Sequence, residues 1–331
     1  MKKLLNDPQN AVTESLEGFT AVHADLVELS LDPTYVTRAG GPVPNKVGLV
    51  SGGGSGHEPL HAGFVGDGML DAAVPGEMFT SPTPDQIQPA LEAADSGAGV
   101  LAIVKNYTGD VLNFEMAVEL AGDDDHRVTT VLVNDDVAVE DSLYTAGRRG
   151  VAGTVAVEKI AGAAAARGDD LETVTAVAQR VADNVRTMGV ALAPCTVPHV
   201  GRPGFELGDD EIEIGIGIHG EPGRRRAPVA TADEITDQLL DPVVEDLGLT
   251  DGESVLLFVN GMGGTPLSEL YVVYRRARSR LEGLGVSVSR SLVGNYVTSL
   301  EMQGASVSVL RLDDETTQLW DAPVRTAALH W

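Results

Sequence analysis

A single cysteine, Cys195, occurs in 331 residues. One thiol excludes an intrachain disulfide and any multi-cysteine metal site, and Cys195 reads as a small buried residue. Positive charge is also scarce. Lysine and arginine total 23 against 49 acids, for a formal net charge of −26. Phosphate would be repelled from such a surface, which excludes ordinary nucleic-acid binding. No apolar run approaches the ~20 residues of a membrane span. The start, MKKLLNDPQNAVTE, turns polar by Asn6 and lacks the apolar stretch of a signal peptide. These absences lead to the expectation of a soluble, cytoplasmic protein with neither nucleic acid nor membrane as partner. The acids lie scattered in pairs such as Asp135–Asp136, Asp169–Asp170 and Asp209–Asp210. Repulsion on this scale is tolerable where salt screens it, with a Debye length of about 3 Å at 1 M, so a salt-adapted (halophilic) cytoplasm is expected.

What is present begins with 43% apolar residues, ample for a core, in a length that suits one large or two ordinary domains. Short β-rich runs at 46–50, 72–74, 99–104, 127–133, 211–218, 254–259, 286–292 and 305–311 alternate with segments of helical period. One helix is expected over 153–167, stopped by Arg167-Gly168, and another over 171–188. Thr265-Pro266 reads as a cap and first-turn proline for a helix carrying Leu267, Leu270, Tyr274, Ala277 and Leu281 on one face. The alternation predicts an α/β fold of two domains, each a sheet flanked by helices. Prolines and glycines crowd the sequence after Met188. The boundary is set there, giving an N-terminal domain over 1–183 and a C-terminal domain over 184–331.

Three segments look chemical. Residues 46–59, KVGLVSGGGSGHEP, run from a strand into four glycines and then His57. Such loops cradle ligands in α/β proteins. The dinucleotide pattern G-x-G-x-x-G fails here, and no lysine follows to make a phosphate-binding P-loop. The stretch therefore reads as a small-ligand cradle with a base, or else as a glycine-rich turn with a surface histidine. Residues 103–114, IVKNYTGDVLNF, place Lys105 and Asp110 between a strand and a helix. Asp110 is either an N-cap or a base. Residues 213–223, EIGIGIHGEPG, end an alternating strand on His219 with Glu221 two residues on, and His219 is either structural or functional. The spacing of His57 and His61 hints at a metal. However, Glu58-Pro59 reads as a helix start and no third ligand is evident, so none is assigned. A serine triad lacks its G-x-S-x-G elbow. Two imidazoles and a carboxylate around a small polar substrate remain. Neutral imidazole, with an ordinary pKa of about 6.5, can act there as base or nucleophile.

With these segments assembled, the chain resembles the substrate-binding K subunit of dihydroxyacetone kinases of the phosphoenolpyruvate-dependent type. The resemblance rests on DPTYVTRA (32–39), SGGGSGHEPLHAGFVGDGML (51–70), PGEMFTSPTPDQI (75–87), KNYTGDVLNFE (105–115), GIGIHGEPG (215–223) and DDETTQLWDAPV (313–324), among others, and spans nearly the whole chain. It implies that His219 captures the substrate carbonyl as a hemiaminal and that His57 helps proton transfer. It further implies that Asp110 takes the proton of the attacking hydroxyl, and that Gly54, Ser55, Gly56 and Lys105 line the site. It implies no cofactor or metal on this chain. ADP and magnesium are expected on a helical partner subunit, L, recharged by a phosphotransfer protein, M. The chain itself is expected to be a homodimer. Some relatives fuse a helical ATP-binding domain to this one, for which the chain ending at Trp331 is expected to leave no room. The stretch from about 240 to 252 is shorter than in some members. Two rival readings accompany this one: a non-catalytic dihydroxyacetone-binding coactivator, and a self-sufficient ATP-dependent kinase.

Overall fold

A computed structural model of the protein describes residues 2–139 and 145–331. In chain order the first half comprises α1 (Ala11–Val22), β1 (Val27–Leu31), β2 (Thr34–Arg38), β3 (Gly48–Ser55), β4 (Gly66–Asp67), β5 (Ala72–Met78), α2 (Pro84–Ala94), β6 (Val100–Lys105), α3 (Thr108–Asp123), β7 (Val128–Val133), α4 (Thr154–Arg167) and α5 (Leu171–Asn184). The second half comprises β8 (Val185–Ala193), β9 (Glu211–Ile214), β10 (Arg225–Pro228), α6 (Ala232–Leu247), β11 (Ser254–Gly261), α7 (Leu267–Gly283), β12 (Ser287–Gly294), β13 (Gln303–Leu312), α8 (Asp314–Asp321) and β14 (Arg325–Thr326).

Two six-stranded sheets result, in the orders β1-β2-β5-β3-β6-β7 and β10-β9-β8-β13-β11-β12. Strands β5, β3, β6 and β7 run parallel. The second sheet is antiparallel except for the β11–β12 pair. The burial of alternate residues explains how the layers stack. On β6, Val100, Ala102 and Val104 pack with α2 and α3, while Leu101 and Ile103 join the core around α4 and α5. On β11, Leu256 and Phe258 join that same core, while Val255 and Leu257 face α6 and α7. A strand's period of two thus serves both faces of each sheet. Helices α4 and α5 fill the space between the sheets. That position explains α4, which is alanine-rich and buried from Thr154 to Ala165; a helix covered on every side needs no polar face. Gly168, at φ +96°, closes it as the sequence predicts. The C-terminal segment crosses back, and β14 pairs with β4.

Several local expectations are corrected. The glycines of 52–54 are not a loop: they lie inside β3. Glu58-Pro59 starts no helix, only a turn followed by a short 3-10 stretch over Ala62–Phe64. The helix begun at Leu171 stops at Asn184, because the chain enters β8, an inner strand of the second sheet that a helical period conceals. The expected strand over 211–218 ends at Ile214, since Gly215 turns to φ +82°. Thr265 does not cap α7; its hydroxyl donates to the Gly304 carbonyl at 2.7 Å, and Pro266 stands at the cap.

Candidate active site

The parallel strands β3 and β6 end side by side, and the crevice beyond the C-terminal ends of parallel strands is where α/β folds receive ligands. Glycine brings β3 to that place. A Cβ at Gly52 would lie 2.7 Å from the Val74 carbonyl oxygen, one at Gly53 2.4 Å from Lys105 Nζ, and one at Gly54 2.6 Å from the Thr80 nitrogen. The run serves close approach rather than turning; only Gly56, at φ +102°, uses the left-handed region. Beyond it His57 is buried. Its Nδ1 lies 2.7 Å from the Thr298 carbonyl oxygen. A carbonyl only accepts, so Nδ1 carries the proton and Nε2 keeps a lone pair, and Nε2 has no partner among the described residues. Burial, then the neighbouring His219 and Lys105, hold His57 well below the usual histidine range, so it is neutral at pH 7.

Strand β6 leads through Tyr107 into α3. Asp110 is the third residue of that helix and not its cap; Tyr107 occupies the cap position. The Asp110 side chain is buried, and Oδ1 has no partner among the described residues. The bland role for this aspartate, satisfying the helix end, is therefore not the one it plays.

His219 comes from the other half of the molecule, on the loop after β9. The loop curls on itself, with Gly217 N–H donating to the Glu221 carbonyl at 3.1 Å. The Glu221 carboxylate accepts from the His219 backbone N–H and lies 2.9 Å from its Nδ1. A carboxylate here only accepts, so Nδ1–H points at Glu221 and Nε2 is the ring nitrogen turned away from it. Burial alone would raise Glu221. His219 and Arg149 outweigh it and bring the carboxyl to about 2.

These pieces meet. The His57 and His219 ring centroids are 4.7 Å apart, nearly perpendicular. Tyr107 stands edge-on to His219 at 4.7 Å. Phe79, held at φ +57°, stacks on His57 at 5.0 Å. His219, Asp110, Gly54, Tyr107 and Phe79 line one cleft of about 640 Å³. The cleft thus brings the His219 imidazole and the Asp110 carboxylate together; His57 and Gly56 are not among its lining residues, and His57 lies behind it in ring contact with His219. A second cavity of about 650 Å³ lies against α1 and the N-terminal segment and shares Gly54, but its walls are mainly apolar.

Lys105 and Ser55 sit differently. Ser55 donates to the Gly76 carbonyl at 2.6 Å. Lys105 Nζ is buried against β3, 2.6 Å from His61 Nε2 and donating to the Gly52 carbonyl at 3.1 Å; His61 Nδ1 lies 2.6 Å from Glu158. The ammonium is thus tethered beneath the glycine strand and is not among the cleft-lining groups. Sequence reasoning singles out neither Phe79, Tyr107 and Arg149 nor the role of Glu221. The signal available for Glu221 is the echo of GHEP (56–59) in HGEPG (219–223). Among the described residues no cluster of three or more His, Cys, Asp and Glu side chains is placed to hold a metal ion.

Comparison with known proteins gives a consistent picture. The Dak1 domain matches residues 17–328. The PTS-dependent dihydroxyacetone kinase 1, dihydroxyacetone-binding subunit DhaK of Listeria innocua is 55% identical over 99% of this chain and 100% of its own length. The corresponding PEP-dependent DhaK subunit of Escherichia coli is 49% identical, over 100% of this chain and 99% of its own. Among solved structures, the co-activator DhaQ of a dihydroxyacetone kinase operon superposes with a TM-score of 0.88 at 34% identity, covering 95% of this chain and 96% of that one. The dihydroxyacetone kinase of C. freundii gives a TM-score of 0.87 at 34% identity, covering 98% of this chain and 60% of that one.

Proposed function

The chain belongs to the Dak1 domain family, and from that premise we propose that it is the dihydroxyacetone-binding, catalytic K subunit of a dihydroxyacetone kinase fed by the phosphotransferase system. The observation that carries this reading is the pinned ring of His219: Glu221 holds Nδ1–H, so that Nε2 is the nitrogen the ring offers to a substrate in the cleft, beside His57.

In the proposed reaction the Nε2 lone pair forms a bond to the carbonyl carbon of dihydroxyacetone while the π pair moves to oxygen. A proton from solvent converts that oxygen to a hydroxyl, and the positive charge left on the ring is balanced by the Glu221 carboxylate. An alcohol such as glycerol offers no carbonyl to attack, so capture selects short carbonyl sugars over polyols of similar hydrogen-bonding power. His57 Nε2, kept unprotonated, accepts hydrogen bonds or a proton from the captured sugar. A terminal hydroxyl oxygen then attacks phosphorus. The bond from phosphorus to the ADP leaving group on the L subunit breaks, and the hydroxyl proton passes to Asp110 Oδ1. Positioning supplies most of phosphoryl-transfer catalysis, which suits a chain that offers acceptor and base while L, recharged by M, carries nucleotide and magnesium.

The coactivator reading retains one observation in its favour, the likeness to DhaQ. The unpaired, buried Asp110 oxygen in the cleft favours the enzyme. Soaking a crystal with dihydroxyacetone is expected to give continuous density from His219 Nε2 to the ligand, absent in His219→Ala. Clear ligand density without that bond would refute the covalent step. Reconstitution with L and M subunits and phosphoenolpyruvate is expected to yield dihydroxyacetone phosphate. Binding without product would identify a sensor, and product from ATP with this chain alone would identify a self-sufficient kinase.

A further inference from the structure

Behind His219 lies a buried ion pair that the steps above do not use. Arg149 is fully buried; Nε and Nη2 reach the Asp136 carboxylate at 2.8 and 2.6 Å. Nη2 also donates at 2.8 Å to the carbonyl of Gly215, where the loop bearing His219 begins. The remaining nitrogen, Nη1, has no partner among the described residues. It lies against Gly217, where an added Cβ would stand 2.6 Å from Nη1 and 1.9 Å from Glu221 Oε2. The guanidinium edge and the Glu221 carboxylate therefore flank the one space that glycine leaves open.

That placement answers a chemical difficulty. A carboxylate bonded to Nδ1–H orients an imidazole, but it also draws a proton onto the other nitrogen. Protonated Nε2 has no lone pair with which to attack. Glu221 thus both orients His219 and opposes it. The groups around His219 are His57 after β3, Tyr107 at the cap of α3, Asp110 within α3, Glu221 on its own loop, and Arg149 with Asp136 from the segment after β7, with Lys105 of β6 beyond them. Of the cations, Lys105 is bound beneath β3 to Gly52 and His61, whereas Arg149 faces Glu221.

We propose that Arg149 is a positioning residue that offsets the Glu221 carboxylate and anchors the His219 loop, so that His219 keeps Nδ1–H and a free Nε2 at neutral pH. The inference rests on the reading of His219 as the nucleophile. It is tested on the full chain with dihydroxyacetone labelled at C2 with ¹³C, following the adduct carbon by NMR from pH 5.5 to 9.5. Removing an arginine alone would strand Asp136, so the variants are Arg149→Met with Asp136→Asn, and Arg149→Lys.

The double variant is expected to shift the pH midpoint of adduct formation up by about one unit, weakening capture ~10-fold near neutrality while approaching wild type at high pH. Arg149→Lys should restore part of the shift. Wild-type behaviour in both variants, or an equal loss at every pH, would overturn the proposal, because loss of packing alone does not move a midpoint. Should wild type form no adduct, the nucleophile reading fails. The Arg149 role is then decided by ¹⁵N-histidine spectra of the ligand-free chain: Nδ1–H with bare Nε2 at pH 7 in wild type, and Nε2 protonating at higher pH in the variants. If the double variant does not fold, Arg149→Lys decides alone. An upward shift of its midpoint supports the role, and spectra and adduct profile identical to wild type overturn it.

Discussion

Asp110 occupies a position where aspartate usually has a structural task, and here that task is absent. In the first turn of a helix a carboxylate normally accepts backbone N–H bonds. Asp110 instead has a buried oxygen with no partner among the described residues, in a side chain lining the same cleft as His219, whose ring contacts that of His57. A buried acceptor left unpaired is costly, on the order of 1–3 kcal/mol, unless something arrives to use it. A substrate hydroxyl is such a donor. Asp110→Asn preserves shape and hydrogen-bonding capacity but loses the ability to take a proton. It is expected to leave dihydroxyacetone binding, measured calorimetrically, within a few-fold of wild type while lowering turnover with L and M subunits by ~10²-fold or more. Turnover near wild type would remove Asp110 from the role of base. The histidines differ from it in being held by the opposite half of the molecule or by their own loop: Thr298, far along the chain, fixes the tautomer of His57, and Glu221, two residues on, fixes that of His219.

At the scale of elements, β3 decides the site. Its glycines let the strand end run against the turn that carries Phe79, whose ring stacks on His57. In Gly54→Ala the new methyl would meet the backbone of Phe79 and Thr80 at 2.6–2.9 Å, and backbone cannot yield as a flexible side chain can. The expected cost is ~1–3 kcal/mol in urea unfolding, with weaker dihydroxyacetone binding as Phe79 is pushed from its ring contact. Gly18→Ala in α1 is the control. Nothing lies within 4 Å of its added methyl, so it should gain up to ~1 kcal/mol and leave binding unchanged. Equal stability effects at the two positions would mean that the clash is relieved elsewhere.

The same strand shows how far sequence reaches. The alternating and helical periods expose both halves of the layered fold, and Arg167-Gly168 marks the end of α4, because these are local signals. The glycine run reads equally as a turn or a close-packed strand. The atoms that distinguish the two belong to Val74, Lys105 and Thr80, each more than 20 positions away in the chain. The His219 loop reads as strand until Gly215 breaks it, and glycine is silent about which conformation it will take. Arg149 escapes notice for the same reason, since its significance lies in a hydrogen bond to Gly215 and a place beside Gly217 and Glu221, far along the chain. Family resemblance reaches the histidines and the aspartate by their motifs, but not the partners that set their tautomers.

Over the whole molecule, charge poses a question that ion pairing cannot answer. Helices α6 and α7 are laced by Asp233–Arg275, Asp237–Arg276 and Asp241–Arg280, at 2.5, 2.5 and 3.2 Å. Such exposed pairs contribute ~0–1 kcal/mol each, and salt weakens them. Yet 49 acids face only 23 bases, so even complete pairing leaves a net charge of −26. The two effects of salt therefore oppose each other: it loosens the pairs and screens the excess. Screening of the excess outweighs loosening of the pairs, because repulsion acts among all unpaired carboxylates over a Debye length that falls from ~10 Å at 0.1 M to ~3 Å at 1 M. The melting temperature is accordingly expected to rise on the order of 5 °C between about 0.05 and 2 M potassium chloride. Chloride is the suitable anion, since sulfate stabilises folded proteins by exclusion from their surfaces whatever their charge. A flat or falling profile would mean that the pairs, not the surplus, govern stability, and that this acidity is no adaptation to salt.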